Sequence, residues 1–362
     1  MSRETTYNFA AGPSALPTEV LEIAASELLD YHGYGLSVME MSHRSAVYQE
    51  IFNETKAGMR KALNVPDTHE ILFLQGGGSA QFSMIPLNLM GENGAADYAI
   101  TGNFANIAAK EARKYGAVHV AADTSACNHT RIPAQAELDL SADARYFYYC
   151  KNNTIFGTEW HYTPETACPL ACDMSSDILT EEIPIEKYGV IFAGAQKNMA
   201  PAGVTLVIVR KDLAGSELPF TPLMMNYKTM IDKDSMYNTP PCYNIYILGL
   251  VLKWLEKQGG VAAMSEIRKE KSGILYDLLD ESKLFRGCAE RESRSYMNVT
   301  FTTGDKDKDA AFCKAAADAG FLNVKGHRLV GGMRASVYNA QPMAAVKALA
   351  AFMKDYEVKN RV

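Results

Sequence analysis

The sequence predicts an α/β fold with a mainly parallel sheet, followed by a smaller α+β unit, on three observations. Over the first two-thirds of the chain, short β-branched runs alternate with segments of helical periodicity, the pattern of βαβ units. Near Gly259-Gly260 a long apolar-striped helix stops, and the pattern changes to helices over a few short strands. At ~150 residues per domain, 362 residues fit two domains better than one, with the boundary at 260: a large domain over 17–260 and a C-terminal domain over 261–362.

Pro17 opens the first helix, with Val20, Ile23, Ala24, Leu28 and Tyr31 at the 3.6 period and His32-Gly33 as its stop. Ser45 starts a second, carrying Val47, Ile51, Phe52, Met59 and Leu63 before Pro66. Residues 71–74 read as a buried strand running into Gly76-Gly77-Gly78. Further strands fit 96–101, 117–121, 146–150, 169–172, 190–193 and 204–209, making seven in the large domain. A helix over 243–257 turns Ile247, Leu250, Val251, Trp254 and Leu255 inward. Beyond it come a helix over 264–279, a strand over 296–302, a helix over 309–319, a loop over 324–332, a strand over 333–338 and a helix over 343–356. There are no internal repeats.

Composition excludes several classes. A net charge of −6 argues against broad nucleic-acid binding, which needs a concentrated basic surface, but leaves room for small anions held by a few arginines. The first residues lack the apolar core of a secretory signal, and no apolar stretch reaches the ~18–20 residues of a membrane span. Seven cysteines, odd in number and without a C-x-x-C pair, read as thiols in a reducing cytoplasm. Cys168 and Cys172 lack the histidine pair of a metal site, so no metal is expected.

The most informative segment is 188–210, where a strand delivers a small-residue loop, a single lysine, Lys197, and then a second strand. A lysine in an otherwise uncharged loop between buried strands favours its neutral amine, a nucleophile for carbonyls; an exposed turn lysine is the plain alternative. Asp173 stands at the carboxyl end of the preceding strand, where ligand groups sit in open α/β sheets, although it also suits an N-cap of the Ser175-Ser176 turn. A lysine for a Schiff base and a carboxylate for a pyridine nitrogen are what pyridoxal phosphate requires. Gln75-Gly76-Gly77-Gly78-Ser79 follows a strand and opens a helix, offering backbone N–H groups to an anion. It has neither the Lys of a Walker loop nor the spaced glycines of a dinucleotide site.

Together these features resemble the fold-type I pyridoxal-phosphate aminotransferases, and collinear motifs along essentially the whole chain resemble the phosphoserine aminotransferase family of the class V branch. The motifs are Asn8-Phe9-Ala10-Ala11-Gly12-Pro13, Met41-Ser42-His43-Arg44, Ala195-Gln196-Lys197-Asn198, Tyr237-Asn238-Thr239-Pro240-Pro241, Lys325-Gly326-His327-Arg328 and Gly332-Met333-Arg334. The resemblance implies a large pyridoxal-phosphate domain with a seven-stranded sheet, and residues 1–16 packed on the small domain and the cleft. It implies that Lys197 carries the cofactor as an aldimine, one per subunit, and shuttles the proton, while Asp173 pairs with the pyridinium nitrogen. Gly78, Ser79 and Gln196 would meet the cofactor phosphate, Thr154 the ring hydroxyl, and Asn238 and Thr239 the phosphate from the other subunit of a homodimer. Phe104 stands where relatives commonly stack a tryptophan on the ring, and Ser79-Ala80 replaces their arginine-glycine or cysteine-glycine.

On the substrate side, the resemblance gives Arg334 the α-carboxylate and gives His43, Arg44, His327 and Arg328 the distal anion. The implied reaction is ping-pong amino transfer between glutamate and 3-phosphohydroxypyruvate, yielding 2-oxoglutarate and O-phosphoserine for serine biosynthesis. A related phospho-oxo acid of vitamin B6 synthesis falls in the same range. Alternatives are an alanine–glyoxylate aminotransferase, a cysteine desulfurase, which usually has histidine where Gln196 precedes Lys197, and a catalytically silent binding module.

Overall fold

The computed structural model describes residue 3 and residues 5–360. The outermost residues of the expected first and last segments (1, 2, 4, 361 and 362) lie outside the described residues. In chain order the strands are β1 (Tyr7–Asn8), β2 (His69–Leu74), β3 (Ala95–Ile100), β4 (Ala117–Asp123), β5 (Phe147–Cys150), β6 (Asn152–Asn153), β7 (Thr158–Glu159), β8 (Leu170–Asp173), β9 (Tyr188–Gly194), β10 (Thr205–Arg210), β11 (Arg286–Gly287), β12 (Asn298–Thr302), β13 (Phe321–Leu322) and β14 (Met333–Ser336). The helices are α1 (Thr18–Ser26), α2 (Ala46–Ala62), α3 (Gly77–Leu89), α4 (Asn103–Ala112), α5 (Tyr227–Asp232), α6 (Cys242–Lys257), α7 (Gly260–Glu281), α8 (Lys306–Asp318) and α9 (Met343–Asn360). Among the described residues, no helix is long and apolar enough to cross a membrane.

Seven strands form one sheet in the order β2-β10-β9-β8-β5-β3-β4. Pairings from β9 through β4 are all parallel, and β10 alone runs antiparallel, to β9 on one side and β2 on the other. Every residue of β9 is buried, as expected where helices cover both faces of a sheet. Ile191 faces a core shared with α1, α2 and α6, while Val190 and Phe192 face one shared with α3, α4 and α5. Register places Cys150 beside Asp173 and Asp173 beside Phe192, so the carboxyl ends of β5, β8 and β9 line up along one edge.

A separate antiparallel sheet, β11-β12-β14, packs against α7, α8 and α9 around Phe285, Phe301 and Phe312. The start of the chain reaches across to this unit: β1 pairs with β13, and Phe9 lies in its core.

The expected boundaries shift at several places: α8 begins three residues before 309, α9 runs on to Asn360, β14 stops at Ser336, and three further shifts follow. The helix opened by Pro17 ends at Ser26 instead of running to His32-Gly33, and Leu28 is 37% exposed. A polar turn wins there: Asp30 accepts from the Gly35 N–H at 2.6 Å, and His32 and Gly33 both adopt positive φ. Gly259, at φ 94°, closes α6, but Gly260 already belongs to α7, which thus begins four residues early. The strand expected from 296 begins at Asn298, because Ser295 Oγ accepts from the N–H groups of Met297 and Asn298 at 3.0 and 2.9 Å.

Candidate active site

Between Gly194 and Thr205 the chain folds back into the antiparallel β10 through a tight loop. Ala195 N–H donates to Val204 O at 3.0 Å, and Met199 and Ala200 N–H both donate to Ala195 O. The small, buried residues Ala195 and Ala200 permit this winding, and it leaves Lys197 half-buried at the carboxyl edge of the sheet. Lys197 Nζ donates to Thr154 Oγ1 at 2.7 Å. The segment after β1 lies directly over the lysine: Ser14 N–H donates to Gln196 O at 2.9 Å and Ser14 Oγ donates to Lys197 O. A Cβ on Gly12 would stand 3.1 Å from Lys197 Cγ, and the φ of +134° at Gly12 suits glycine, so a side chain here would press on the lysine.

Asp173 ends β8 and is buried. Its Oδ1 accepts from the Ser175 N–H at 2.9 Å, so the turn-capping role weighed from sequence is present as well. Burial pushes its carboxyl up from the ordinary range, against the opposing pull of the Lys197 ammonium and the Ser175 hydrogen bonds. A buried carboxylate in this state gains from a cationic partner.

The glycine run splits between turn and helix. Gly76, at φ 88°, caps α3, and the Gly77 N–H donates to Thr205 Oγ1 at 2.8 Å. Gly78 and Ser79 fall in the first turn of α3, where a helix has no backbone acceptor of its own for its N–H groups. Gln75 ties this loop to residues 238–239 of the same chain: Asn238 Nδ2 donates to Gln75 Oε1 at 3.2 Å, and Gln75 Nε2 donates to Thr239 O at 3.3 Å. Phe104, near the start of α4, is 37% exposed, open enough to offer a ring face.

Arg334 comes from β14 of the smaller sheet, yet its NH1 donates to Thr154 O at 3.0 Å. Thr154 therefore touches both Lys197 and Arg334. Burial lowers the Arg334 pKa from its high ordinary value. Burial and the charges of Arg334 and Arg328 hold the His327 imidazole down, placing the three residues in one electrostatic neighbourhood. His43 and Arg44 make local contacts instead: Gln49 Nε2 donates to His43 O at 2.7 Å, and the Arg44 N–H donates to Ser42 Oγ at 3.3 Å.

The structure also supplies residues that the sequence reading missed. The strand pair holding Thr154 rests on a buried charge cluster, with Lys151 Nζ 2.7 Å from Asp177 and also paired with Glu181, and Arg268 NH1 2.8 Å from Glu159. Glu159, Asp177 and Glu181 are close enough to suggest a cation site, but these basic side chains already serve them. The three carboxylates raise the Lys151 pKa despite its burial. Nothing local in the sequence signals this cluster, because Arg268 arrives from α7.

A lysine amine beside a hydroxyl, a buried carboxylate, a helix-start anion cradle and an arginine from a second sheet define a site for carbonyl–amine exchange on a carboxylate substrate. The family model for class-V aminotransferases matches residues 6–349, and the chain belongs to that family. Within it, the chain is 50% identical to the phosphoserine aminotransferase of Pseudomonas fluorescens, over 98% of both chains. It superposes on the phosphoserine aminotransferase of Bacillus circulans subsp. alkalophilus with a TM-score of 0.96 at 44% identity, covering 98% of this chain and 99% of that one. The pyridoxal-phosphate-bound phosphoserine aminotransferase of Trichomonas vaginalis matches with a TM-score of 0.93 at 42% identity, over 96% and 99%.

Proposed function

We infer that the protein transfers the amino group of glutamate reversibly to 3-phosphohydroxypyruvate, forming O-phosphoserine for serine biosynthesis. The observation that carries this reading is the meeting at Thr154 of Lys197 Nζ and the Arg334 guanidinium, an amine and a carboxylate-binding fork side by side. The residues fit pyridoxal phosphate. Lys197 would hold it covalently, one per subunit, Asp173 would face the pyridine nitrogen, Thr154 the ring hydroxyl and Phe104 the ring face. Gly78, Ser79 and Gln196 would take the phosphate.

When bound, pyridoxal phosphate supplies an electron sink for the charge that develops at the substrate Cα. Lys197 Nζ would carry the proton taken from that carbon, and Thr154 Oγ1, which accepts from Nζ here, would orient the amine. Arg334 binds the α-carboxylate common to every substrate. His327 and Arg328, with His43 and Arg44, take the distal anion, a carboxylate in glutamate and a phosphate in phosphoserine. Alanine and glyoxylate carry no second anion, so this pair of cationic loops disfavours the alanine–glyoxylate alternative.

The related four-carbon phospho-oxo acid presents the same two anions. Asn238 and Thr239 would complete the phosphate site across a homodimer interface. Exposed Leu29, Tyr34, Met39, Phe220 and Tyr237 support a partner copy. Seven unpaired thiols support a cytoplasmic setting. The division at 260, with the N-terminal segment over the cleft, is supported by the separate core around Phe285, Phe301 and Phe312 and by the β1–β13 pair.

The test is Lys197→Ala. The purified protein should lose the visible absorption band of bound cofactor and at least ~10³-fold in phosphoserine–2-oxoglutarate transamination. A Lys197→Ala protein that keeps both refutes the assignment.

A further inference from the structure

Lys197 follows a strand of the large sheet and Arg334 lies on the small one, yet one substrate must place its amino nitrogen at the first and its carboxylate at the second. The structure spans that gap with a buried polar junction. Asn198, next to Lys197, accepts from the Asn339 N–H through Oδ1 at 3.0 Å and donates through Nδ2 to Ile178 O at 3.1 Å. Asn339, five residues beyond Arg334, donates through its own Nδ2 to Leu179 O at 2.8 Å. Leu179 is wholly buried and holds φ at +63°, a conformation that a branched side chain adopts only when its surroundings impose it. From α7, Lys271 Nζ donates to Tyr338 O at 2.9 Å and to Asn339 O at 3.1 Å. Tyr338 Oη in turn donates to Ala11 O at 2.7 Å, in the N-terminal segment that covers Lys197.

All of these side chains are buried, at 7% exposure or less. The backbone that follows Arg334 is thus tied at its N–H to Asn198, at its carbonyl to Lys271, and through the Asn339 side chain to Leu179, whose neighbour Ile178 is held by Asn198 as well. Buried networks of this kind rigidify only when every member is satisfied, and losing one member loosens the rest.

We propose that Asn198 and Asn339 are positioning residues that set the span between Lys197 and Arg334, and so the fit of any α-amino carboxylate. The proposal rests on the reading of Arg334 as the α-carboxylate ligand. Because that carboxylate is shared, the junction acts on all substrates alike and leaves the distal-anion preference untouched. Neither asparagine touches the reacting atoms; both act through Arg334.

The experiment uses the cofactor-loaded protein and five variants: Asn339→Ala, Asn198→Ala, Asn198→Asp, Arg334→Ala and the Asn339→Ala/Arg334→Ala double variant. KM for glutamate and for phosphoserine should rise about tenfold in each asparagine variant, by the same factor for both substrates, with kcat falling less than about threefold. Glutarate, titrated against the cofactor absorption band, should bind about tenfold more weakly, a readout independent of turnover. In the Arg334→Ala background, Asn339→Ala should add less than about twofold, since its effect passes through the missing arginine. Asn198→Asp, which keeps the accepting oxygen, should recover most of the glutarate affinity and serves if Asn198→Ala fails to fold.

A lowered Tm with unchanged KM and glutarate binding would make the junction merely structural and overturn the proposal. So would full additivity with Arg334→Ala. If Arg334→Ala alone leaves both KM values unmoved, the α-carboxylate reading fails first, and that result is separate from the behaviour of the asparagines.

Discussion

The floor and the rim of the site are built in opposite ways. The floor is made of strand ends: Asp173 is buried where β8 stops, and Lys197 sits in a wound loop held by its own backbone bonds and by Ser14. The rim is made of exposed loops, with Arg44 and Arg328 in solvent and His327 half-buried beside Gly331 and Gly332 at positive φ. A floor that holds a cofactor ring in a single orientation, as proposed above, is suited by burial and fixed partners. If the rim takes the two distal anions proposed above, an exposed pair of cationic loops would tolerate both. Rigidity is concentrated where the ligand never changes.

The sharpest way to break this comparison is at the floor. Asp173→Asn keeps the shape and Lys197, so the cofactor should still attach. Loss of the charge-assisted contact at ~1.5–3 kcal/mol should weaken cofactor binding about 10- to 150-fold, and most of kcat should go with the lost electron sink. Equilibrium dialysis with pyridoxal phosphate and steady-state kinetics measure the two effects; a near-normal kcat would show that the carboxylate is only a turn cap.

At the rim the expected effect is selective. Arg328→Lys keeps charge but not the planar fork, so it should cut kcat/KM for phosphoserine by up to about tenfold, glutamate less, and alanine hardly at all. Arg334→Lys should lower all three by a similar factor. Equal losses for alanine and phosphoserine in Arg328→Lys would erase the distinction between the two arginine positions.

The smallest effect sharpens a second contrast, between two buried lysines. Lys151 is paired with carboxylates, which raise its pKa, whereas Lys271 meets only carbonyls, and burial lowers it to about 7. An unfolded lysine titrates near ~10.4, so between these values the unfolded chain holds the extra proton and raising the pH favours the fold. The protein should therefore gain a few degrees of Tm relative to Lys271→Met as pH rises from about 6 to 9, on top of a pH-independent loss from the two stranded carbonyls. Thermal melts of both proteins across that range test it; a constant difference would mean that Lys271 does not titrate there.

Much of the floor was legible because its signals are local. Ser45 caps α2 from the adjacent position, every large-sheet strand except β8 (Leu170-Ala171-Cys172-Asp173) carries β-branched or aromatic residues, and Asp173 and Lys197 stand at or just beyond strand ends. What the sequence hides is pairing at a distance. Asn198 and Asn339 are 141 positions apart, and nothing near either predicts the other. Tyr7–Asn8 and Phe321–Leu322 are two-residue strands, too short to show a period. The overlong first helix failed for the converse reason: Leu28 and Tyr31 keep the helical spacing, but the Asp30 turn captures the backbone before them.

The lone antiparallel strand has a consequence for the lysine. Parallel neighbours must be joined by a crossover of a dozen or more residues, commonly a helix on the sheet face. Because β10 reverses, the path from Gly194 to Thr205 closes between adjacent strands whose register runs from Thr205↔Gly194 to Val209↔Val190. Both ends of the lysine's tether are thus bolted to the same ladder, about one strand spacing (~4.8 Å) apart. The two ends of that loop cannot part without shearing β9 from β10, so the lysine's loop is anchored in the frame of the sheet.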